Sequence, residues 1–407
     1  MILLFNIDIF VSKNLNMVKT GLEIVAERLP VPLKGKRIGI LCHAPSITKD
    51  FRHITDIFSA RKDCFLSAIF GPQHGLFGQT QDNMIEWNGD LHPHFNIPVF
   101  SLYGEQRKPT PEMLKDIEAF IIDLQDIGAR LYTYIWTIKL CMQACFESGI
   151  PVWILDRPNP IGKLPCDGPV LKEDFFTFVG GACIPLCHRM TMGEMALWIK
   201  EKYIPGCDLN VVWMENWNRF SLFNETKLPW VLPSPNMPTI QTAIVYPGIV
   251  LAEALNLSEG RGTTIPFELF GAPFIFSEKL KKNLDSRSIP GCAFRIHNFI
   301  PTFNKYENQN CNGIQIHVVN PEAYFPVGTA LEIFDAIIET SVNDSLKFNN
   351  PPYEYEYSLV PFDILSGDEE MRKTLENRSS LNVEKQRWVY EIDKFETEFS
   401  QLAVYSE

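Results

Sequence analysis

Two carboxylates, two amide or guanidinium groups and two phenols crowd one short stretch: Asp123, Gln125, Asp126, Arg130, Tyr132 and Tyr134. A pair of carboxyls can divide general-acid and general-base work when their environments differ. A guanidinium can hold a carboxylate with two parallel hydrogen bonds. The residues just before them, AFII at 119–122, are apolar and too few for a buried helix. Such a run reads as a buried strand of a parallel sheet. Open α/β sheets bind ligands beyond the carboxyl ends of their strands, which is where this cluster falls. A plainer alternative stands beside it: Asp126 caps the next helix and Arg130 pairs with it.

The elements that must position these groups repeat along the first half. A helix is expected at 17–29, a strand at 37–43 ending in His43, and a helix at 48–61. A strand at 64–70 ends in Gln73 and His74, and a long polar loop at 76–96 carries Glu86. The third strand, 97–103, ends at Tyr103, and a helix opens at Pro111 with proline in its first turn. The 119–123 strand, a helix at 134–148 and a strand at 151–155 complete the series, the last ending in Asp156, Arg157 and Asn159. Five apolar strands alternating with helices predict βαβ units in a doubly wound parallel sheet, an α/β domain. Five polar strand ends on one edge would form a pocket of acid, amide and imidazole groups. Neither GxGxxG after the first strand nor GxxxxGK[ST] anywhere is present, so neither a dinucleotide nor a P-loop nucleotide is expected.

The second half reads differently. Thr191 and Glu194 have capping-box spacing and open a helix to about 203. PWVLPSPNMP at 229–238 holds four prolines and cannot be a regular element. It marks either a domain boundary, dividing 17–235 from 236–407, or a rigid pocket wall. YPG at 246–248 leads to an expected helix at 249–256, followed by the compact loop LSEGRGTTIPFE at 257–268. That loop is a plain turn or a ligand loop. A strand at 314–318 and a helix at 328–341 follow. The last helix, 382–402, carries Trp388, Ile392, Phe395, Phe399 and Leu402 as a core stripe.

A chain of 407 residues favours two domains, and 45% hydrophobic with 21% charged residues is enough for a full core. The net charge of −12 argues against nucleic-acid or anionic-membrane partners. Ten Cys without a CxxC pair read as buried free thiols in a reducing compartment. Residues 1–11 are apolar but lack a basic leader and a cleavage site, and Met17 is an alternative start. A cytoplasmic location and no membrane span are expected.

Residue types alone leave the reaction open. Nucleophilic hydrolysis is weakly supported, as there is no GxSxG and no Cys lies in a recognised nucleophile context beside a His. Asp123, Asp126, Asp156, His43 and His74 match no metal-ligand spacing, and no metal is expected. Glycoside hydrolysis needs one protonated and one ionised carboxyl, which the strand edge can supply.

An ordered series of motifs goes further: GPQHGLFG (71–78), SLYGEQRKPTPEML (101–114), IDLQDIGARLYTY (122–134), LDRPNPIG (155–162), DGPVL (167–171), PSPNMPT (233–239), YPG (246–248) and NLSEGRGTTIPFELFGAP (256–273). The series resembles the NamZ (YbbC-like) family of exo-β-N-acetylmuramidases from about residue 35 to beyond 320. The resemblance implies a Rossmann-like N-terminal domain, a smaller C-terminal α/β domain and an active site in the cleft between them. It implies release of N-acetylmuramic acid from the non-reducing end of peptidoglycan fragments, without a cofactor. On that basis Glu86 is the expected general acid, and Asp123 or Asp126 the base or the orienter of His74. Arg130 and Arg261 are expected on the lactyl carboxylate. Gln73, Tyr132, Asp156, Asn159, Glu259, Thr263 and Thr264 are expected to contact sugar. The chain departs from the family pattern at Gln73, where many members have Glu, and at Asp167, where Glu is expected. An amide does not titrate, so a muramyl-sugar-binding protein without catalysis is the rival reading.

Overall fold

A computed structural model describes residues 17–78, 91–341 and 345–405. The expected strands form: β1 (Arg37–Cys42), β2 (Phe65–Gly71), β3 (Val99–Ser101), β4 (Ala119–Asp123) and β5 (Val152–Leu155). The hairpin strands β6 (Asp167–Val170) and β7 (Pro185–Cys187) follow, and β8 (Leu209–Val212) returns to the main sheet. That sheet is parallel throughout, in the order β3-β2-β1-β4-β5-β8. The order reverses between β1 and β4, the signature of a doubly wound sheet. Its sixth strand was not anticipated. β8 is a half-buried edge, and LNVV shows neither a fully apolar run nor a clean alternation.

Helices cover both faces: α1 (Gly21–Glu27), α2 (Ile54–Ser59), α3 (Pro111–Leu114), α4 (Tyr134–Ser148) and α5 (Met192–Tyr203). α2 is shorter than expected because Thr48 and Ser46 spend their backbone groups on a turn back from Arg52 and Ile54. α5 opens with the anticipated Thr191–Glu194 capping box.

The second, smaller unit is an antiparallel sheet of β9 (Leu269–Ala272), β10 (Cys292–Ile296) and β11 (Asn312–Val318), in the order β10-β11-β9. α6 (Ile240–Ile249) and α7 (Ser277–Ser286) pack on it, and α8 (Pro326–Thr340) packs on both of those helices. α6 lies earlier than the expected 249–256 and runs through the YPG motif. Thr239 caps it directly after the proline-rich segment, and a 3-10 turn covers Val250–Ala254. Gly248 is required there: a Cβ would sit 2.0 Å from the Pro326 carbonyl oxygen at the α6–α8 crossing.

The chain ends with α9 (Pro361–Ser366), α10 (Glu370–Glu376) and α11 (Leu381–Phe399). This last segment returns to the first unit. Phe395 of α11 packs against Trp198, with ring centres 5.1 Å apart, and the Tyr405 hydroxyl donates to Asp156 at 2.6 Å. One apolar core therefore runs continuously through both units. No helix among the described residues is long and apolar enough to cross a membrane.

Candidate active site

The switch point between β1 and β4 is sealed by its own hydrogen bonds. His43, following β1, accepts the Gln125 N–H on Nε2 at 2.9 Å, and Ser46 donates to the Asp123 carbonyl at 2.5 Å. Burial holds the His43 imidazole well below its usual value, so it is neutral. Both Asp123 side-chain oxygens accept from Arg157, at 2.5 and 2.8 Å, and the pair is buried. Asp123 is thus half of a structural ion pair and does not face the cleft described below, contrary to the expected base role.

Gly128, at φ +82°, turns the chain after β4 away from a direct entry into α4. The next residues pair with β7 through Ala129–Cys187. Asp126 closes this turn by accepting the Gly128 N–H at 2.7 Å. It does not cap α4, whose N-cap is Thr133. Burial pushes the Asp126 carboxyl up to about 7. Its Oδ2 lies 3.7 Å from Nε2 of His188, an imidazole that burial lowers to about 3 and keeps neutral. His188, not His74, is therefore the imidazole beside Asp126.

The same turn points Arg130 into the interior. Its guanidinium donates to the carbonyls of Pro169, Ile184, Leu365 and Ser366 at 2.8–3.0 Å. A fully buried clamp on four carbonyls is unavailable to a lactyl group, so that expectation is corrected. Asp156 and Asn159 are also internal. Asp156 accepts from Arg157 N, Gly193 N, Thr191 Oγ1 and Tyr405 Oη, tying β5 to the start of α5. Asn159 donates to Met190 O and accepts the Ile161 N–H. Asp167 accepts the N–H groups of Val327 and Gly328 at the start of α8. These polar residues cement loops and helix ends instead of meeting solvent.

A cleft opens between the two units. The first unit contributes Gln73 and His74 after β2, and Leu131 to Tyr134 at the start of α4. The proline-rich segment contributes Ser234 and Asn236, and Tyr134 fixes it by donating to Pro233 O at 2.5 Å. That segment is therefore a cleft wall as well as the link to α6. The second unit contributes Tyr246, Glu253, Arg261 and Phe267, and the 345–360 segment adds Tyr353 and Glu354. Edge-to-face contacts join Tyr132 to Tyr134 and Tyr246, and Tyr246 to Phe267, at 4.8–5.8 Å. This aromatic floor suits the apolar faces of a sugar ring.

Of the expected site residues, Gln73, His74, Tyr132 and Arg261 reach the cleft. Glu259 lies behind Arg261, paired with it at 3.2 Å and with Lys305 at 3.1 Å. Thr263 bonds Gly260 O and closes its own turn, and Thr264 is exposed, so neither lines the cleft. Glu86 lies outside the described residues.

Two carboxylates went unnoticed in the sequence. Glu253 follows α6, and burial opposes its ionisation. Arg261 at 2.5 Å, the Tyr353 hydroxyl at 2.7 Å and the charge of Lys305 overcome this and hold its carboxyl below the usual range. Glu354 is 6% exposed, and burial together with Glu253 pushes its carboxyl up to about 7. No motif signalled either residue. Only the α6 and 345–360 backbones bring them together.

Fold and cleft together define a doubly wound α/β protein with one ionised and one protonatable carboxyl at the same pocket, the pairing that glycoside hydrolysis requires. The chain belongs to the NamZ exo-β-N-acetylmuramidase family. The models of the N-terminal and C-terminal domains of exo-β-N-acetylmuramidase NamZ match residues 38–241 and 244–405. The peptidoglycan β-N-acetylmuramidase NamZ of Bacillus subtilis (strain 168) is 41% identical over 365 residues, 89% of this chain and 86% of that protein. Two crystal structures of DUF1343 family proteins from Bacteroides fragilis NCTC 9343 share the fold. One has a TM-score of 0.86 at 31% identity, covering 96% of this chain and 99% of that one. The other has a TM-score of 0.75 at 28% identity, covering 96% and 100%.

Proposed function

We propose that this chain is an exo-β-N-acetylmuramidase, a glycosidase that releases N-acetylmuramic acid from the non-reducing end of peptidoglycan-derived saccharides. The observation that carries this reading is the 41% identity, across 89% of the chain, to the muramidase of Bacillus subtilis. The reaction takes place in the cleft between the 17–235 and 236–407 units. There Tyr132 and Tyr246 receive the sugar ring, and Arg261 faces its lactyl carboxylate while His74 and Gln73 line the opposite wall. All ten Cys are free, which supports work in a reducing compartment, the cytoplasm, on fragments recovered from the cell wall.

The test is incubation of the purified chain with p-nitrophenyl N-acetylmuramide and with the disaccharide N-acetylmuramyl-N-acetylglucosamine. Release of free N-acetylmuramic acid from both is expected. No turnover of either overturns the enzyme reading. Gln73 favours a second reading, a muramyl-sugar-binding protein, because an amide replaces a titratable group in the cleft. Tight binding of the free sugar without turnover would establish that reading instead.

A further inference from the structure

We propose that Glu354 is the proton donor of the reaction, placed and oriented by a row of hydrogen bonds running through Gln73. The inference rests on the muramidase reading and assigns its acid.

Glu354 sits in a tight two-residue turn. Tyr353 and Glu356 exchange both backbone hydrogen bonds, at 2.8 and 2.9 Å. The two residues between them, Glu354 and Tyr355, have φ of +46° and +67°. Positive φ at both central positions is the requirement of a type I′ turn, which favours Asn-Gly. Left-handed backbone costs about 1–2 kcal/mol for each L residue with a Cβ. The chain carries this strain at two adjacent non-glycine positions, and the turn delivers the Glu354 side chain into the cleft. Strained backbone of this kind gathers at functional sites. His74, on the facing wall, has φ of +69° as well.

The donors are arranged in one direction. Thr133 Oγ1 donates to Gln73 Oε1 at 2.6 Å, and Gln73 Nε2 donates to Tyr103 Oη at 3.2 Å. Tyr103 then donates its own proton to Glu354 Oε2 at 3.3 Å. An amide has fixed donor and acceptor ends, so it sets the direction of the whole row. The row terminates on Oε2, and the carboxyl proton is therefore carried by Oε1. A carboxylate at position 73 would accept from Tyr103 and pull the phenol proton away from Glu354. Gln73 thus acts as a positioning residue, which gives the untitratable group in the cleft a purpose. The neighbouring Glu253 stays ionised through Arg261 and Tyr353, so the cleft holds one charged and one protonatable carboxyl.

The step balances. Glu354 gives its proton to the bridging oxygen, and the bond from that oxygen to the anomeric carbon breaks with the electron pair on the leaving sugar. Glu253 offsets the positive charge that develops on the anomeric carbon. A water oxygen then bonds to that carbon and its proton passes to the Glu354 carboxylate, restoring the acid.

The experiment compares wild type, Glu354→Gln and Tyr103→Phe on the two substrates above. A general acid contributes about 10²–10⁴-fold, so Glu354→Gln is expected to lose that much kcat/KM on the disaccharide but less than about tenfold kcat/KM on the p-nitrophenyl glycoside, whose phenolate leaves unprotonated before the water step. The wild-type kcat/KM on the disaccharide falls as pH rises through about 7. Tyr103→Phe, which removes the donor favouring the carboxylate, moves that limb to higher pH even if Glu354→Gln does not fold. Equal losses on both substrates, or a limb unmoved in Tyr103→Phe, overturn the assignment while leaving the muramidase reading intact. An inert wild type overturns both.

Discussion

Arg130 offers the sharpest separation of a structural from a ligand-binding guanidinium. Its four N–H···O bonds join the β6–β7 hairpin, through Pro169 and Ile184, to the end of α9, through Leu365 and Ser366. Gly367 allows the approach, because a Cβ there would lie 2.8 Å from Nη2. In Arg130→Gln the shorter side chain has two N–H groups, so at least two buried carbonyls lose their donor. Each orphaned group costs about 1–3 kcal/mol, which puts the loss of unfolding free energy near 4 kcal/mol. Urea unfolding followed by tryptophan fluorescence measures this, as the chain has eight Trp. The urea midpoint is expected to fall while KM for the muramyl disaccharide changes by less than about twofold. An unchanged midpoint with a KM raised about tenfold or more would refute the reasoning and return Arg130 to the substrate carboxylate.

Two further outcomes follow from the buried carboxyls. Asp123→Asn leaves Arg157 buried without its counter-charge and is expected to cost about 3–5 kcal/mol in the same urea assay; a loss under about 1 kcal/mol would mean the pair is not desolvated. Burial pushes Asp156 up to about 7 despite its hydrogen bonds from Tyr405, Gly193 and Thr191, above the ordinary carboxylate value of 3.8. A raised folded-state value means that the stability it favours is fully present below that ordinary value and is lost as pH rises through about 7. Unfolding free energy measured between pH 4 and 8 should therefore decline with pH in wild type, and less steeply in Asp156→Asn. An identical slope in the two proteins contradicts this.

The amino-acid sequence by itself determined the parallel sheet, since apolar runs such as AFII and VWIL are stable only when covered on both faces. It also determined the capping box at Thr191 and Glu194 and the motif order that marks the family. It placed Gln73, His74, Tyr132 and Arg261 in the right region, because strand ends and a glycine-rich loop are local features. It did not reveal which charges face inward. Asp123, Asp156 and Arg130 have the residue types of a site, yet each is consumed by a partner distant in the chain, such as Arg157, Tyr405 or the Ser366 carbonyl. The converse holds for Glu253 and Glu354. Glu253 falls between two motifs and Glu354 outside all of them, and the turn at 354 even lacks the glycine its backbone favours. Their ionisation is set by burial and by groups that folding brings against them: Tyr353 and Lys305 beside Arg261 for Glu253, and Glu253 itself for Glu354. Local periodicity records which faces are buried, but the fate of a buried charge depends on the group that folding brings against it, and only the tertiary structure decides that.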